Sequence, residues 1–303
     1  MKVIFGINNI KKFKNPVVAM GVFDGVHRGH KVILEEAVKK AHDTGGRSIA
    51  LTFWPHPQKE GSLYSLEHRL KLIAGRGMDV AIIINFNRRF SRITADNFIK
   101  KILAEKLGAK HIYVGENFRF GKSAQGSVGT LEDSSSFYGF KVKVFKVIKS
   151  GRRTISSTFI RALIKKGELR RAQNLLGRAV GILGSVIRGN LFARQLGFPT
   201  ANINPHHEVI PACGIYAVRV IFNKNKYGGV CYIGRQPTFL TQNKGTHIEV
   251  HIFNFNKKIY GKTLEIYFIK KIRDERRFKN IEELAVQIRK DANSARSILS
   301  RHK

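Results

Sequence analysis

Apolar residues fall in short runs separated by polar, glycine-rich turns, and the spacing inside those runs changes partway along the chain. Residues 17–23 and 79–84 are near-continuous apolar stretches with the length and β-branched content of buried strands. Residues 48–53 and 111–114 read the same way. Between them, residues 31–43 put Ile33, Leu34, Ala37, Val38 and Ala41 on one helical face and stop at Gly45-Gly46. Residues 66–75 and 95–107 also read as helices. Trp54-Pro-His-Pro57 ends the second strand, because two prolines cannot continue a hydrogen-bonded ladder. A basic strand at 141–148 precedes a helix at 158–166. This alternation predicts an α/β unit built on a parallel sheet covered on both faces. In such sheets ligands lie beyond the carboxyl ends of the strands, where the strand order reverses.

After Leu175-Leu-Gly-Arg178 the pattern shifts. Short segments at 181–187, 214–222, 227–233, 246–253 and 263–269 are separated by Gly, Pro and Asn, and several alternate apolar with polar residues. That is the signature of half-buried antiparallel strands, in a small barrel or sandwich. Ile281, Leu284, Ile288, Ala292 and Ala295 then recur at helical spacing, predicting a closing helix over 280–299. With no internal repeat and no low-complexity linker, the expected domains are 1–178 and 179–303, joined by a short connection near 176–181.

Composition changes this picture little, and charge changes it in one respect. No run approaches the roughly 20 apolar residues of a membrane span. The N-terminus carries lysines where an export signal would carry its apolar core, so a cytoplasmic protein is expected. Cys213 and Cys231 form no CxxC pair and propose neither a disulfide framework nor a metal cage. The formal charge, however, is +34, from 55 basic and 21 acidic side chains. Such a balance first suggests a polyanionic partner. It is spread evenly: residues 1–178 hold 34 basic and 13 acidic groups, residues 179–303 hold 21 and 8. No zinc finger, helix-turn-helix or RNP-like string accompanies it. Neither a specific nucleic-acid partner nor a membrane partner is expected, a basic nucleic-acid-binding protein being kept as a remote alternative; oligomeric state is open.

The chemistry-bearing string of the first half is Gly21-Val-Phe-Asp-Gly-Val-His-Arg-Gly-His30, between the first strand and the first helix. Free N–H groups and the positive dipole end of that helix favour an anion there. His27 and His30 could donate to phosphate oxygens whose charge grows in a transition state. Two histidines near a turn are equally consistent with plain surface polar groups. No third ligand at matching spacing supports metal binding. Further on, Ser156, Ser157 and Thr158 precede a helix as N-cap candidates, with Arg161 one turn in. Hydroxyls, amides and one guanidinium could cradle a polyphosphate, or could be ordinary capping beside a solvated Arg.

The HxGH string resembles the nucleotidyltransferase signature. With Phe53-Trp-Pro-His-Pro57, Val114-Gly-Glu-Asn-Phe-Arg-Phe-Gly121 and Ile155-Ser-Ser-Thr-Phe-Ile-Arg161, it resembles the bacterial bifunctional riboflavin kinase/FAD synthetase family, in the family's order. The second half continues the resemblance from about residue 181, through Leu196-Gly-Phe-Pro-Thr-Ala-Asn202, Pro211-Ala-Cys-Gly-Ile-Tyr-Ala217, Pro237-Thr-Phe239, Ile248-Glu-Val-His251 and Ile259-Tyr-Gly261. The implied fold is a Rossmann-like nucleotidyltransferase domain followed by a small antiparallel β-barrel kinase domain with a closing helix. The implied activity is phosphorylation of riboflavin to FMN and adenylylation of FMN to FAD, with ATP, riboflavin and FMN as substrates and Mg²⁺ as cofactor.

By this resemblance His27 and His30 are catalytic. Gly21, Phe23, Gly29, Asn117, Ser156, Ser157, Thr158 and Arg161 bind nucleotide, and His56 and Pro57 lie near the flavin. Phe118 and Phe120 could equally be strand-end core. Thr200 and Asn202 take ATP and Mg²⁺, roles suited to their oxygens. Glu249 accepts the proton of the riboflavin 5′-hydroxyl, although strand alternation alone also permits an outward-facing glutamate. Ala193, Tyr232, Gln236 and Asn254 depart from the family's usual Gly, Asn, Arg and Asp. They leave open a chain that makes FAD from FMN with an impaired kinase module.

Overall fold

The computed structural model describes residues 1–57, 62–151, 153–189, 196–206, 208–235 and 246–301. By its internal contacts the chain forms two units, Met1–Ser62 with Leu66–Ser157, and Leu63–Ser65 with Thr158–Lys303.

The first unit holds a six-stranded sheet of β1 (Lys2–Phe5), β2 (Pro16–Met20), β3 (Arg47–Trp54), β4 (Val80–Asn85), β5 (His111–Gly115) and β6 (Lys141–Phe145). Their order is β1-β4-β3-β2-β5-β6, with every pair parallel. Strand β2 is buried throughout, and its alternate residues feed different cores. Val17 and Ala19 join Ile33, Leu34, Ala37 and Ala41 of α1 (Arg28–Asp43), while Val18 and Met20 join Ile99, Ile102 and Leu103 on the opposite face. Each such Val or Ile contributes about 1.5–3 kcal/mol when fully buried. Chain progression runs β2-β3-β4 one way and β5-β6 the other, so the order reverses beside β2.

Several boundaries differ from the sequence reading. Strand β2 ends at Met20 rather than at residue 23, because Phe23 adopts φ 52° and Gly21–Phe23 form the turn. The helix expected over 95–107 is α-helical only at Ala95–Asn97 and continues as a π-helix over Phe98–Lys106 (together α3). Its end is marked by a Leu107 N–H donating to Ile102 O at 3.0 Å. The other first-unit helices are α2 (Leu66–Ala74) and α4 (Val128–Tyr138). The sequence reading lacks α4, whose serine-rich helix buries only Leu131. It also lacks β1, which is four residues long.

A two-stranded hairpin, β7 (Lys149–Ser150) and β8 (Arg153–Thr154), leads to α5 (Ser157–Lys165) and α6 (Leu169–Leu176). The amphipathic α6 packs on β9 (Val180–Ile187) and β14 (Thr263–Arg273), and Gln173 Nε2 donates to Phe268 O at 2.9 Å. The division between the two units falls between Ser157 and Thr158, after the first residue of α5 and ahead of the change in pattern at 176–181.

The second unit is a closed antiparallel barrel. With β10 (Ala201–Pro205), β11 (Gly214–Phe222), β12 (Asn225–Arg235) and β13 (Thr246–Ile252), the order is β10-β13-β12-β11-β14-β9. Asn280 caps α7 (Ile281–Ser300), its Oδ1 accepting from Glu283 N at 2.8 Å. Ala292, Ala295 and Leu299 face the barrel with Ala217 and Phe253. Arg273 of β14 grips the buried Asp291 carboxylate with Nε at 3.0 and 3.1 Å and Nη2 at 2.7 Å. Asp291→Ala strands that guanidinium. It should destabilise the second unit by about 3 kcal/mol, read as a lowered urea midpoint; an unchanged midpoint would mean that this ion pair does not hold α7.

This unit also includes Leu63–Ser65. The buried Glu208 accepts from Ser65 N at 3.0 Å and Ser65 Oγ at 2.7 Å, and its other oxygen from Leu183 N at 3.0 Å. Val209 N donates to Leu63 O at 3.2 Å, and the Arg178 guanidinium lies 5.3 Å from the Tyr64 ring centroid. Among the described residues, no helix is long and apolar enough to cross a membrane.

Candidate active sites

The first site starts where β2 gives way to α1. Phe23, Gly25 and Val26 all have positive φ, at 52°, 78° and 38°. For phenylalanine, and more so for branched valine, this backbone is costly and persists only where surrounding contacts enforce it. Here they do. The Phe23 ring is enclosed in the core, Thr52 Oγ1 donates to Val22 O at 2.8 Å, and Ser157 Oγ donates to Asp24 O at 2.8 Å. The fully buried Arg69 adds two bonds, from Nη1 to Val22 O at 3.0 Å and to Phe53 O at 3.1 Å.

The product of this enforced turn is a pair of oriented imidazoles. His27 caps α1, its Nδ1 accepting from His30 N at 3.4 Å. The two rings stack with centroids 3.7 Å apart and planes 18° from parallel. The Phe23 ring meets His30 edge-on at 5.4 Å. Gly29 makes the arrangement possible, since a Cβ there would lie 3.2 Å from the His27 ring; Gly21 likewise spares the Phe23 ring, also at 3.2 Å. Two imidazole rings thus sit at the positive end of α1, a position that favours an anion such as phosphate.

Topology brings other predicted residues to the same sheet edge. His56 and Pro57, both half-buried, follow β3, and the exposed Asn117 follows β5. These strands flank β2, so all three turns leave its carboxyl edge. Ser156 directly precedes α5, while Ser157 and the exposed Thr158 are its first residues. Ser157 is thereby bound to the histidine turn, and Arg161 is buried on α5. Arg69 escaped the sequence reading. Its signal was spacing, for it sits four residues before the buried Ile73, on the inward face of α2. Burial lowers its proton affinity, opposed by the Asp24 carboxylate, and Trp54 covers it at 5.4 Å.

The second site lies on the outer wall of the barrel. Along β13, Ile248, Val250 and Ile252 point into the barrel and His247, Glu249 and His251 point out. That outer face is not open solvent. A cavity of about 500 Å³ lies there, with apolar walls from Phe198, Ile215, Val230, Leu284 and Ile288 and polar ones from Thr200, Glu249 and Arg273. Strand register sets Asn202 of β10 and Tyr232 of β12 on either side of Glu249. Thr200 Oγ1 donates to Glu249 Oε2 at 3.0 Å, and His247 Nε2 lies 2.6 Å from Glu249 Oε1.

Asn202 is buried, and among the described residues its Oδ1 has no hydrogen-bond partner. Its amide fills the space above Gly189, where a Cβ would stand 2.2 Å away. An orphaned buried carbonyl oxygen beside a threonine hydroxyl and a carboxylate fits a hard, oxygen-seeking cation such as Mg²⁺. Of the departures, Tyr232 bonds Glu275 and leaves the Thr200–Glu249 contact intact; burial and the Glu275 carboxylate push its phenol upward. Asn254 takes φ 53°, a conformation that Asn and Asp both tolerate. Ala193 and Gln236 lie outside the described residues, as does the Pro237-Thr-Phe239 string. His251, which also lines the cavity, is held below its ordinary value by burial, against the pull of Pro199 O at 2.9 Å.

Comparison with known proteins places both halves of the chain in recognised families. The FAD synthetase family matches residues 9–159 and the riboflavin kinase family matches residues 176–299. A bifunctional riboflavin kinase/FMN adenylyltransferase of Buchnera aphidicola subsp. Schizaphis graminum is 37% identical over 96% of this chain and 96% of its own. Proteins of the same description from Haemophilus influenzae and Escherichia coli are each 34% identical, over 99% and 98% of this chain and 100% and 97% of theirs. Among solved structures, one titled macrolide-efflux protein from Streptococcus pneumoniae superposes with a TM-score of 0.86 at 28% identity, over 98% of this chain and 99% of that one.

Proposed function

From the premise that this chain belongs to the bifunctional riboflavin kinase/FMN adenylyltransferase family, converting riboflavin to FMN and FMN to FAD, we propose how its residues divide the two reactions. In the barrel unit the riboflavin 5′-oxygen attacks the γ-phosphorus of ATP, the bond to the β-phosphate oxygen breaks, and ADP leaves. Glu249 accepts the hydroxyl proton. Thr200 and Asn202 would hold Mg²⁺, which when bound would offset the charge of the ATP phosphates. The apolar walls take the isoalloxazine, and the polar rim keeps the ribityl end near Glu249.

In the first unit an FMN phosphate oxygen attacks the α-phosphorus of a second ATP. The bond from that phosphorus to the bridging oxygen of the β-phosphate breaks, and pyrophosphate leaves. The nucleophile is already an anion, so no general base is required. His27 and His30 act by donating to the oxygens of the α-phosphorus as their charge grows. Ser156, Ser157, Thr158 and Arg161 take the departing pyrophosphate. Gly21, Phe23 and Gly29 shape the turn that receives the nucleotide, Asn117 contacts the nucleotide, and His56 with Pro57 borders the flavin.

The observation that carries these roles is the stacked His27–His30 pair at the amino end of a helix, on the sheet edge where strand order reverses. Purified protein given riboflavin and Mg-ATP should form FMN first and FAD later, with one pyrophosphate per FAD, as followed by chromatography. Accumulation of FMN with no FAD would remove the assignment of the first site, and conversion of supplied FMN alone would remove that of the second.

A further inference from the structure

We infer that His247 is a positioning residue for riboflavin phosphorylation, fixing the orientation of the Glu249 carboxylate; the inference rests on the reading of Glu249 as the proton acceptor. A carboxylate has two oxygens and turns about one bond, so a single hydrogen bond leaves its free lone pairs undirected. Glu249 is held at both. Thr200 Oγ1 takes Oε2 at 3.0 Å, and the His247 ring takes Oε1 at 2.6 Å. The latter is the tighter contact, with a side chain only 28% exposed.

The arrangement is built into the strand. Residues two apart on β13 share a face, so His247 and Glu249 leave the barrel side by side while Ile248 packs inward. His247 is in turn backed by an aromatic wall. The Tyr232 ring stands edge-on to it at 6.3 Å, and Tyr232 is bonded to Glu275 on the segment that joins β14 to α7. Since Glu249 is ionised when it acts as a base, the histidine nitrogen facing it carries the proton and donates. With both oxygens pinned, the remaining lone pairs have fixed directions for the incoming 5′-hydroxyl. Misplacement of a reacting group by about 1 Å can cost about 100-fold in rate.

The test compares His247→Ala, His247→Gln and Glu249→Gln in the full-length enzyme. Kinase kcat and the riboflavin KM are measured, with the thermal melting profile as a check that each protein is folded and adenylylation of supplied FMN as a check on the first unit. Glutamine places an N–H near the position of histidine Nε2, whereas alanine supplies none. The expected result is a kinase kcat lowered 10- to 100-fold in His247→Ala, with riboflavin KM within about twofold of the parent. Recovery of at least half the parental kcat is expected in His247→Gln, and unchanged adenylylation in both. If Glu249→Gln is inactive as a kinase while His247→Ala matches the parent, the inference about His247 is overturned and the role of Glu249 stands. If Ala and Gln variants are impaired alike, or only KM moves, the ring serves packing or binding and the inference also fails. Kinase activity retained in Glu249→Gln would overturn the reading of Glu249 and the inference with it.

Discussion

Replacing His27 and His30 together by alanine is expected to abolish FAD formation from FMN and to leave riboflavin phosphorylation at the parental rate. The expected loss is large because, in the proposed roles, the two rings supply donors at the point where charge accumulates. Removing one such donor from an enclosed site typically costs about 10²–10³ in kcat. Here both are lost, and the His27 cap bond to His30 N goes with them. The single variants separate the contributions. His30→Ala removes only the partly exposed ring, whereas His27→Ala also uncaps α1, at about 1 kcal/mol. The measurement is initial rates with FMN and Mg-ATP beside rates with riboflavin and Mg-ATP on one preparation. FAD formed at more than a tenth of the parental rate by the double variant would remove the two imidazoles from the chemistry.

Glu249→Gln is expected to give the mirror result, with FMN formation lost and FAD formation from supplied FMN retained. General-base assistance is worth about 10²–10⁴, and glutamine keeps the size and the Thr200 contact while losing the basic oxygen. Because the amide can still accept from Thr200, a fall in melting temperature should be small, and a fall in kinase kcat is then chemical in origin. A variant that phosphorylates riboflavin at more than a tenth of the parental rate would show that the hydroxyl loses its proton elsewhere.

Much of the architecture was readable before any coordinates, for identifiable reasons. Residues 31–43 repeat apolar groups at helical spacing between a glycine turn and Gly45-Gly46, so α1 needed only its first turn extended, to Arg28. The strands of both units are bounded by Gly, Pro and Asn, and five of the six barrel strands were legible. The sixth, β10, escaped because Pro199-Thr-Ala-Asn202 reads as a motif rather than as a strand. What stayed hidden depends on partners distant in sequence. Val26 has no local reason to adopt φ 38°; the enclosed Phe23, Arg69 and Ser157 fix the turn around it. Alternation along β13 set His247 and Glu249 on one face. Only the closing helix shows that this face borders a cavity rather than open water.

The strip Leu63–Ser65 has a consequence for how such a protein can be divided. Synthesis delivers this strip well before the strands it completes, so Tyr64 and Ser65 must wait for Glu208 and Val209 to be made. A gene truncated to begin at Thr158 would encode a barrel whose buried Glu208 keeps Leu183 as a donor but loses both from Ser65. The later catalyst is therefore not a self-contained cassette: it draws on a splint encoded early in the chain, without which its interior carboxylate at Glu208 loses two of its donors.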